Sequence, residues 1–365
     1  MIKRVFKILA PLLVILLTFN YHYLISYSSS SSLANHISGS VAISNIDSPV
    51  KKINFVGAAN GPEFAAKNAL AGFIVYALNE QIEQKYFKAN YIKNLHHNIH
   101  SVMIGSSHML PVSSVDVGTK DFVNLAIGGS NLQDRLDILG MLDYYNIEYD
   151  HVIFEIDLPS FLDSALLTSD GQVFKRFGDR FYNKIWGDIV STSSQINFND
   201  RYVSNYEFDT LLSGAYDENQ LLDNIYYYRP DASMIYPKRS ELFNEEHIKS
   251  IFLVLKKQDE MLKAAHINEQ SKIIVFKIME YFKKNNKKVN LVIAPRPNRE
   301  FDESGMKDYP ILQEVTDFAK LIASAYGFKI SGSFNPHDLW LSDKDFADGF
   351  HLRGDVTSRI FDFNE

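Results

Sequence analysis

The chain contains no cysteine among its 365 residues. This absence excludes a disulfide framework, a thiolate nucleophile, a cysteine-based zinc site and a lipidated cysteine. Positive charge is also scarce, since 37 basic residues face 44 acidic ones and leave a net charge of −7. No stripe of basic residues interleaved with aromatic ones occurs, so we expect no nucleic-acid partner. The chain is instead 46% hydrophobic and 13% aromatic, which is enough to form a substantial buried core.

Charged residues are missing from the stretch between Lys7 and Asp47. Within it, residues 8–25 form an apolar run long enough to cross a bilayer as a helix. Basic residues precede this run, which by the positive-inside rule leaves the N-terminus in the cytoplasm. The alternative is a cleaved signal peptide, because residues 32–34 (Ser-Leu-Ala) loosely fit a cleavage site. Both alternatives predict export, and the uncleaved anchor predicts a single-pass protein of the cytoplasmic membrane with a large extracytoplasmic domain.

Composition divides the chain into segments with different expected roles. We predict a cytoplasmic stub and transmembrane anchor over residues 1–27 and a Ser/Asn/Gly-rich tether over residues 28–61. An alanine-rich helical segment near the membrane is predicted over residues 62–98, and a main domain over residues 99–365. Within that domain, residues 160–242 lose clear periodicity and are rich in Tyr, Phe, Asp and Asn, which indicates an insertion over the sheet. The insertion is either a lid packed by its own aromatic side chains or a surface that binds carbohydrate.

The main domain alternates short apolar runs with helical periodicity. The β-branched apolar runs predict buried strands at Ser101–Ile104, Phe122–Ile127, His151–Ile156 and Val289–Ala294. Apolar residues at helical spacing predict amphipathic helices around Leu132, Leu136 and Leu139, around Ile274, Ile278, Tyr281 and Phe282, and around Ile311, Val315, Phe318 and Ile322. This alternation predicts the α/β class, with a parallel sheet covered by helices on both faces.

Hydroxyl, glycine and imidazole residues follow the predicted strands at the edge where open α/β sheets bind ligands. The first strand leads into Gly105-Ser106-Ser107-His108, in which a glycine before two hydroxyl residues permits a tight turn. The second leads into Asn124 and then Gly128-Gly129, whose backbone N–H groups at a helix start suit a developing oxyanion. Near the C-terminus, Asp348 lies three residues before His351 and suits orienting that imidazole as a general base. Each motif also has a structural alternative, as a common loop, a close strand–helix contact or a surface turn.

In this order the three motifs resemble those of the SGNH (GDSL-type) serine hydrolases. The likeness is to an exported, membrane-anchored branch that includes the D-alanine-transfer protein of lipoteichoic-acid synthesis and exopolysaccharide O-acetylation proteins. The resemblance implies a flavodoxin-like three-layer α/β/α sandwich. It also implies a triad in which Ser107 is the nucleophile, His351 the base and Asp348 the residue that orients His351. The backbone N–H groups of Ser107 and Gly129 would form the oxyanion hole, and neither a cofactor nor a metal is expected.

The end of the third strand departs from the family pattern. Members of the family carry there an asparagine that donates to the oxyanion, whereas this chain has Glu155-Ile156-Asp157. An ionised Asp157 accepts hydrogen bonds and repels an oxyanion unless it is held protonated. Losing one such donor typically removes about 3 kcal/mol of transition-state stabilisation. Ser130 or Asn131, in the neighbouring loop, is the candidate replacement donor.

Other polar residues near the predicted edge are candidates for substrate contact. His108 either binds an acceptor or stabilises its turn, and Asp157 is a further candidate. Arg296, after the fourth strand, either binds a phosphate or carboxylate or belongs to a charged surface loop. The histidines at positions 96, 97 and 100 have no carboxylates at ligand spacing, so we expect no metal site there.

These features favour an extracytoplasmic serine-dependent O-acyltransferase or esterase that acts on a cell-envelope glycan or exopolysaccharide. The first alternative is a non-catalytic protein of the same fold that presents glycan or acyl carrier to a membrane-bound O-acyltransferase. A purely structural envelope protein is the second alternative. The expected partners are accordingly a cell-envelope polysaccharide or glycolipid, a membrane-bound O-acyltransferase, and the membrane itself through the N-terminal helix.

Overall fold

A computed structural model of the chain describes residues 50–54, 61–72, 74–76, 81–162, 172–187, 209–213, 226–236, 262–263, 265–297, 309–346, 350–361 and 363. The predicted anchor at residues 8–25 lies outside these ranges, as does most of the predicted tether. Within them, no helix is long and apolar enough to cross a membrane.

Strands and helices alternate through most of the described chain. The strands are β1 (Val50–Asn54), β2 (Ile74–Tyr76), β3 (Ser101–Ile104), β4 (Phe122–Asn124), β5 (His151–Glu155), β6 (Asp209–Ser213), β7 (Tyr227–Tyr228), β8 (Met234–Ile235), β9 (Lys288–Ile293) and β10 (Lys329–Gly332). The α-helices are α1 (Gly61–Leu70), α2 (Gln81–Asn94), α3 (Ser114–Val117), α4 (Leu132–Tyr144), α5 (Gln172–Trp186), α6 (Glu269–Lys284), α7 (Pro310–Tyr326) and α8 (Gly354–Ile360). Short 3₁₀ turns lie at Ser107–Met109, Leu158–Phe161, Pro336–Leu339 and Asp343–Asp345.

A five-stranded parallel sheet, flanked by helices, forms the centre of the domain. Its order is β10-β9-β5-β3-β4, and every neighbouring pair is parallel. If the five strands are numbered by their order along the chain and read from the β4 edge, they lie in the order 2-1-3-4-5. The chain therefore places β4 on one side of β3 and the three later strands on the other side. Open α/β sheets bind ligands at the carboxyl ends of the strands beside such a reversal. The predicted α/β class and parallel sheet are confirmed.

The bounds of β5 and β9 differ from the prediction by one residue at one or both ends, and β4 and β10 differ more. β4 ends at Asn124 rather than Ile127, because the Asn124 side chain accepts the hydrogen bond of the Ala126 N–H at 2.9 Å. β10 was not predicted, since its Lys-Ile-Ser-Gly sequence is short, mostly polar and at most half-buried at the sheet edge. An edge strand carries a weaker apolar signal than a strand that is buried on both faces.

Helix α5 lies within the segment predicted to be an aperiodic insertion, and it packs on α4. Phe174, Phe177 and Phe181 recur at helical spacing and are all buried. The two helices approach closely where Gly140 and Gly178 lie, since a Cβ at either position would overlap the neighbouring helix. A helix with a clear apolar face thus lies within residues 160–242, where the sequence analysis expected no periodicity.

A second, antiparallel sheet has the order β1-β6-β2-β7-β8. β1 pairs with β6 along its whole length, so residues 50–54 of the predicted tether belong to this sheet. The predicted helical segment at residues 62–98 contains α1, β2 and α2. The β7–β8 hairpin reaches the main domain through the Met234 N–H, which donates to the Leu110 carbonyl at 2.7 Å. This contact joins the second sheet to the turn that follows Ser107.

Candidate active site

A serine and an imidazole meet at the carboxyl end of β3. Gly105 and Ser106 leave the strand, and Ser107 opens a 3₁₀ turn. His351 lies just before α8, and its Nε2 is 2.8 Å from the Oγ of Ser107. This is hydrogen-bond distance, although 244 residues separate the two in sequence. The structure thus brings together the two residues that the sequence motifs indicated as nucleophile and base.

The predicted third member of the triad, Asp348, lies outside the described residues. Two described carboxylates flank His351 along the chain, and each is engaged by other groups. Asp345 caps its own 3₁₀ turn, while Asp355 pairs with Arg353 at 3.0 Å. Orienting His351 therefore remains a predicted role of Asp348.

Aromatic side chains pack around the His351 imidazole. The Tyr236 ring stacks on it with centroids 5.7 Å apart and planes at 22°. The rings of Phe350 and His108 lie at centroid distances of 5.1 Å and 5.3 Å. Tyr236 also donates its hydroxyl hydrogen to the carbonyl of Ser107 at 3.0 Å. Tyr236, just after β8, therefore contacts both Ser107 and His351.

The carboxylate of Glu155, the last residue of β5, holds the residue that precedes the nucleophile. Glu155 is fully buried, and it accepts hydrogen bonds from the backbone N–H of Ser106 and from Ser106 Oγ, the latter at 3.1 Å. Gly105 makes room for it, because a Cβ there would lie 2.7 Å from Glu155 Oε2. Burial raises the pKa of Glu155 to about 7; Asp157 raises it too, and Arg135 opposes the rise. The sequence did not predict this role, because the residues of a turn do not indicate which distant side chain binds them.

Arg135, on α4, binds the carboxylates at the end of β5. Its Nη2 lies 2.7 Å from Asp157 Oδ1 and 3.6 Å from Glu155 Oε2, and its Nη1 donates to the Glu155 carbonyl. Asp157 is 5% exposed and also accepts from the Ser160 N–H at 3.3 Å, which caps the following 3₁₀ turn. Asp157, at the position where the resemblance to SGNH hydrolases predicts an asparagine, is thus an ion-paired turn cap. As a carboxylate it offers no hydrogen bond to an oxyanion.

The glycine loop after β4 contains the other predicted oxyanion donors. Gly129 is exposed and has a φ of 64°, a left-handed conformation that favours glycine. Asn131 caps α4, with its Oδ1 accepting from the Asp134 N–H at 3.1 Å and its own N–H donating to the Asp134 carboxylate at 3.0 Å. The amide oxygen and backbone N–H of Asn131 are therefore used in the cap. The backbone N–H groups of Ser107 and Gly129 remain the predicted donors.

Asn124 connects this loop to the nucleophile turn. Its side chain is completely buried, and its Nδ2 donates to the carbonyls of Met109 at 2.7 Å and Val112 at 2.8 Å. These carbonyls belong to the segment that directly follows Ser107. In the sequence Asn124 was only the first residue of a motif, whereas in the structure it fixes the position of that segment.

Helix α2 contributes buried polar side chains to the same region, namely Gln84, Lys85 and Lys88. Gln84 Oε1 accepts from the Gly128 N–H at 2.8 Å, and Lys88 Nζ donates to the Asn124 carbonyl at 2.6 Å. Burial lowers the pKa of Lys88 to about 7. Sequence reasoning missed this stripe because polar residues at helical spacing ordinarily indicate a solvated face.

Arg296 and three histidines are the remaining sequence candidates. Arg296 follows β9 at the carboxyl edge of the sheet, and its backbone N–H donates to the Phe334 carbonyl at 3.0 Å. His96 and His97 are exposed, and His100 lies beyond the amino end of β3. The described ranges hold no group of three or more His, Asp or Glu residues placed to bind a metal.

The chain matches no protein-family model and no curated protein. The chemistry available to the site follows from its own geometry. A serine hydroxyl within hydrogen-bond reach of an imidazole is the pair that enzymes use for nucleophilic catalysis.

Proposed function

We propose that the chain is a serine-dependent O-acyltransferase or esterase of the SGNH type that acts on a cell-envelope glycan or exopolysaccharide. The observation that carries this proposal is the 2.8 Å distance between Ser107 Oγ and His351 Nε2. Ser107 and His351 are far apart in sequence, and the stability of the fold does not require a hydrogen bond between them at the ligand-binding edge of the sheet. Their position at the carboxyl end of β3 is where doubly wound sheets bind ligands.

The mechanism follows from the pair. Ser107 Oγ attacks the carbonyl carbon of an acyl donor, and its proton passes to His351 Nε2. The backbone N–H groups of Ser107 and Gly129 stabilise the negative charge on the carbonyl oxygen, and Asp348 orients His351. His351 then protonates the leaving group. A sugar hydroxyl or water resolves the acyl-enzyme, which makes the reaction a transfer or a hydrolysis.

The strand order supports the fold assignment that accompanies this function. The order 2-1-3-4-5 of the parallel sheet is the order of flavodoxin-like sheets. The helices that flank this sheet are compatible with the three-layer α/β/α sandwich of the SGNH hydrolases, which is the architecture proposed here. In that fold the nucleophile follows the first strand, as Ser107 follows β3.

The cellular setting of the proposal comes from the N-terminal sequence. The apolar run at residues 8–25 acts as a single membrane anchor in the cytoplasmic membrane, with the site on the outer side. That side presents cell-envelope polysaccharides and glycolipids, and a membrane-bound O-acyltransferase is a suitable source of acyl groups.

A fluorophosphonate probe tests the proposal on the full-length chain in detergent. We expect covalent labelling of the wild type, loss of labelling in Ser107→Ala, and normal labelling in the control Ser324→Ala, which changes an exposed serine of α7. Normal labelling of Ser107→Ala would contradict the proposal.

The ion pair between Arg135 and Asp157 favours a second candidate function. Because this pair occupies the position of the family's donating asparagine, the fold also suits a non-catalytic protein that presents glycan or acyl carrier to a membrane-bound O-acyltransferase. An unlabelled wild type that still binds acetylated polysaccharide supports this second function over the first.

A further inference from the structure

Tyr236 reaches the candidate site from the second sheet. It directly follows β8, whereas Ser107 follows β3 of the parallel sheet and His351 lies just before α8. The Tyr236 ring stacks on the His351 imidazole, with centroids 5.7 Å apart and planes at 22°. The Tyr236 hydroxyl donates to the Ser107 carbonyl at 3.0 Å. One side chain of the second sheet therefore touches both residues of the proposed catalytic pair.

The turn of the β7–β8 hairpin is bound to the rest of the domain by buried groups. The Asp231 carbonyl accepts from the Asn124 backbone N–H at 2.8 Å, and the Asp231 carboxylate accepts from the Ser114 N–H at 2.6 Å. The buried ammonium group of Lys88 donates to the Ala232 carbonyl. These donors lie on β4, α3 and α2, so three elements fix the hairpin. The residue that follows β8 therefore starts from a backbone with little freedom.

His351 is half-buried in a surface segment. The backbone on either side of it is held by a bridge between Phe346 and Leu352. The Arg353 N–H also donates to the Asp345 carbonyl at 3.0 Å. These backbone contacts do not set the rotation of the imidazole, whose second side-chain torsion has a broad range. The rotation of the imidazole therefore depends on the side chains that pack against it.

A ring that lies nearly parallel to the imidazole opposes this rotation. Because the two planes are 22° apart, turning the imidazole about its second torsion would drive one of its edges towards the face of the Tyr236 ring. His351 Nε2 lies 2.8 Å from Ser107 Oγ, and such a hydrogen bond weakens steeply when its angle departs from linearity. The Tyr236 ring thus favours the orientation in which the imidazole and the hydroxyl meet.

We propose that Tyr236 is a positioning residue, whose ring holds the His351 imidazole in the orientation that takes the proton of Ser107. This inference rests on the proposed function, because it concerns the base of that reaction. Tyr236 exchanges no proton and forms no covalent bond, so it acts through His351. The second sheet thereby contributes to the proposed reaction.

Two substitutions in the full-length chain in detergent separate the ring from the hydroxyl. Tyr236→Phe and Tyr236→Leu both remove the hydroxyl, but only Tyr236→Phe keeps a planar ring against His351. We expect kcat for p-nitrophenyl acetate to be about tenfold lower in Tyr236→Leu than in Tyr236→Phe, which is about 1.4 kcal/mol and typical of an aromatic pair. KM should differ by less than about twofold, since the ring acts through the base. The control Tyr182→Leu, in a half-buried tyrosine of α5 that packs on Trp186, should keep the wild-type kcat.

The same comparison without the base distinguishes positioning from a purely structural role. In chains that also carry His351→Asn, the residual kcat/KM of Tyr236→Leu and Tyr236→Phe should agree within about twofold, because no imidazole is left to position. A tenfold difference that persists in these chains overturns the inference, because it indicates a structural role. Equal kcat values for the two Tyr236 variants in the presence of His351 overturn it as well.

Urea unfolding checks that each variant folds. If Tyr236→Leu does not fold, Tyr236→Met replaces it with the same expected results, since methionine fills the space without a planar face. Failure of the proposed function has a different signature, namely nitrophenolate release that is unchanged in Ser107→Ala. Failure of the present inference alone leaves the release dependent on Ser107.

Discussion

The two halves of the candidate site are built in different ways. Ser107 stands on a turn whose neighbours are held by the fully buried side chains of Glu155 and Asn124. His351 is half-buried in a surface segment and packs against aromatic rings such as that of Tyr236. The position of Ser107 thus depends on the core of the domain, whereas the position of His351 depends on packing at its surface. Substitutions on the first side should change stability and activity together, and those on the second side should change activity alone.

The largest expected effect is on the surface side. His351→Asn removes the base, and we expect kcat/KM for p-nitrophenyl acetate to fall about 10³-fold or more. The free energy of unfolding should change by less than about 0.5 kcal/mol, because the residue is half-buried and outside the core. Ester kinetics and urea unfolding check the two parts. A decrease of several kcal/mol in the free energy of unfolding would contradict this contrast between the two halves, because it would show that His351 also stabilises the core.

Asn124→Ala tests the core side. It leaves buried carbonyls of the segment after Ser107 without a donor, and we expect the free energy of unfolding to fall by about 3 kcal/mol or more. Fluorophosphonate labelling of Ser107 should slow in parallel. The matched control is Asn285→Ala, which removes an exposed side chain that donates to the Tyr281 carbonyl at 2.7 Å. Here the free energy of unfolding should change by less than about 0.5 kcal/mol.

Glu155→Gln sharpens the comparison through its pH dependence. Burial raises the folded-state pKa of Glu155 from 4.5 to about 7, so the folded chain holds this proton more tightly than the unfolded chain. The contribution of Glu155 to the free energy of unfolding is therefore complete when the pH is below the pKa of Glu155 in the unfolded chain. It is lost as the pH rises through the pKa of Glu155 in the folded chain. Between about pH 5 and about pH 8, we expect the wild type to lose about 2 to 3 kcal/mol more stability than Glu155→Gln. Urea midpoints across this range measure the slope, and the exposed control Glu280→Gln should keep the wild-type slope.

Tyr236→Phe has the smallest expected effect and probes the contact between the two halves. The substitution keeps the ring that stacks on His351 and removes the hydroxyl that donates to the Ser107 carbonyl. We expect a loss of about 1 kcal/mol in stability and a several-fold decrease in kcat. Unfolding and ester kinetics provide the check. An unchanged kcat would show that the two halves keep their positions independently.

Apolar pattern predicted four of the five strands of the parallel sheet, and motif order predicted that Ser107 and His351 meet. β3 was predicted with the bounds that it has, because a short β-branched run that is buried on both faces carries a strong signal. Ser107 was indicated by a motif that directly follows a predicted strand. His351 was indicated by a motif near the C-terminus, whose role came from the resemblance to SGNH hydrolases.

The groups that position the nucleophile could not be predicted in the same way. Glu155 and Lys88 are polar residues in buried places, and their burial depends on partners far away in sequence. Glu155 lies 49 residues from Ser106, and Lys88 lies 36 residues from Asn124. Polarity along a sequence indicates exposure on average, and only the tertiary structure shows where a buried partner makes an exception.

The long separation between Ser107 and His351 has a consequence for how the protein comes into being. Synthesis runs from the N-terminal end, so Ser107 has been made well before His351, 244 residues later. Under the proposed mechanism, a chain that stops short of His351 has the Ser107 hydroxyl without the imidazole that takes its proton. We therefore expect such a chain to be inert toward esters, and a protease that cuts between the two residues and releases the part with His351 to abolish the proposed activity.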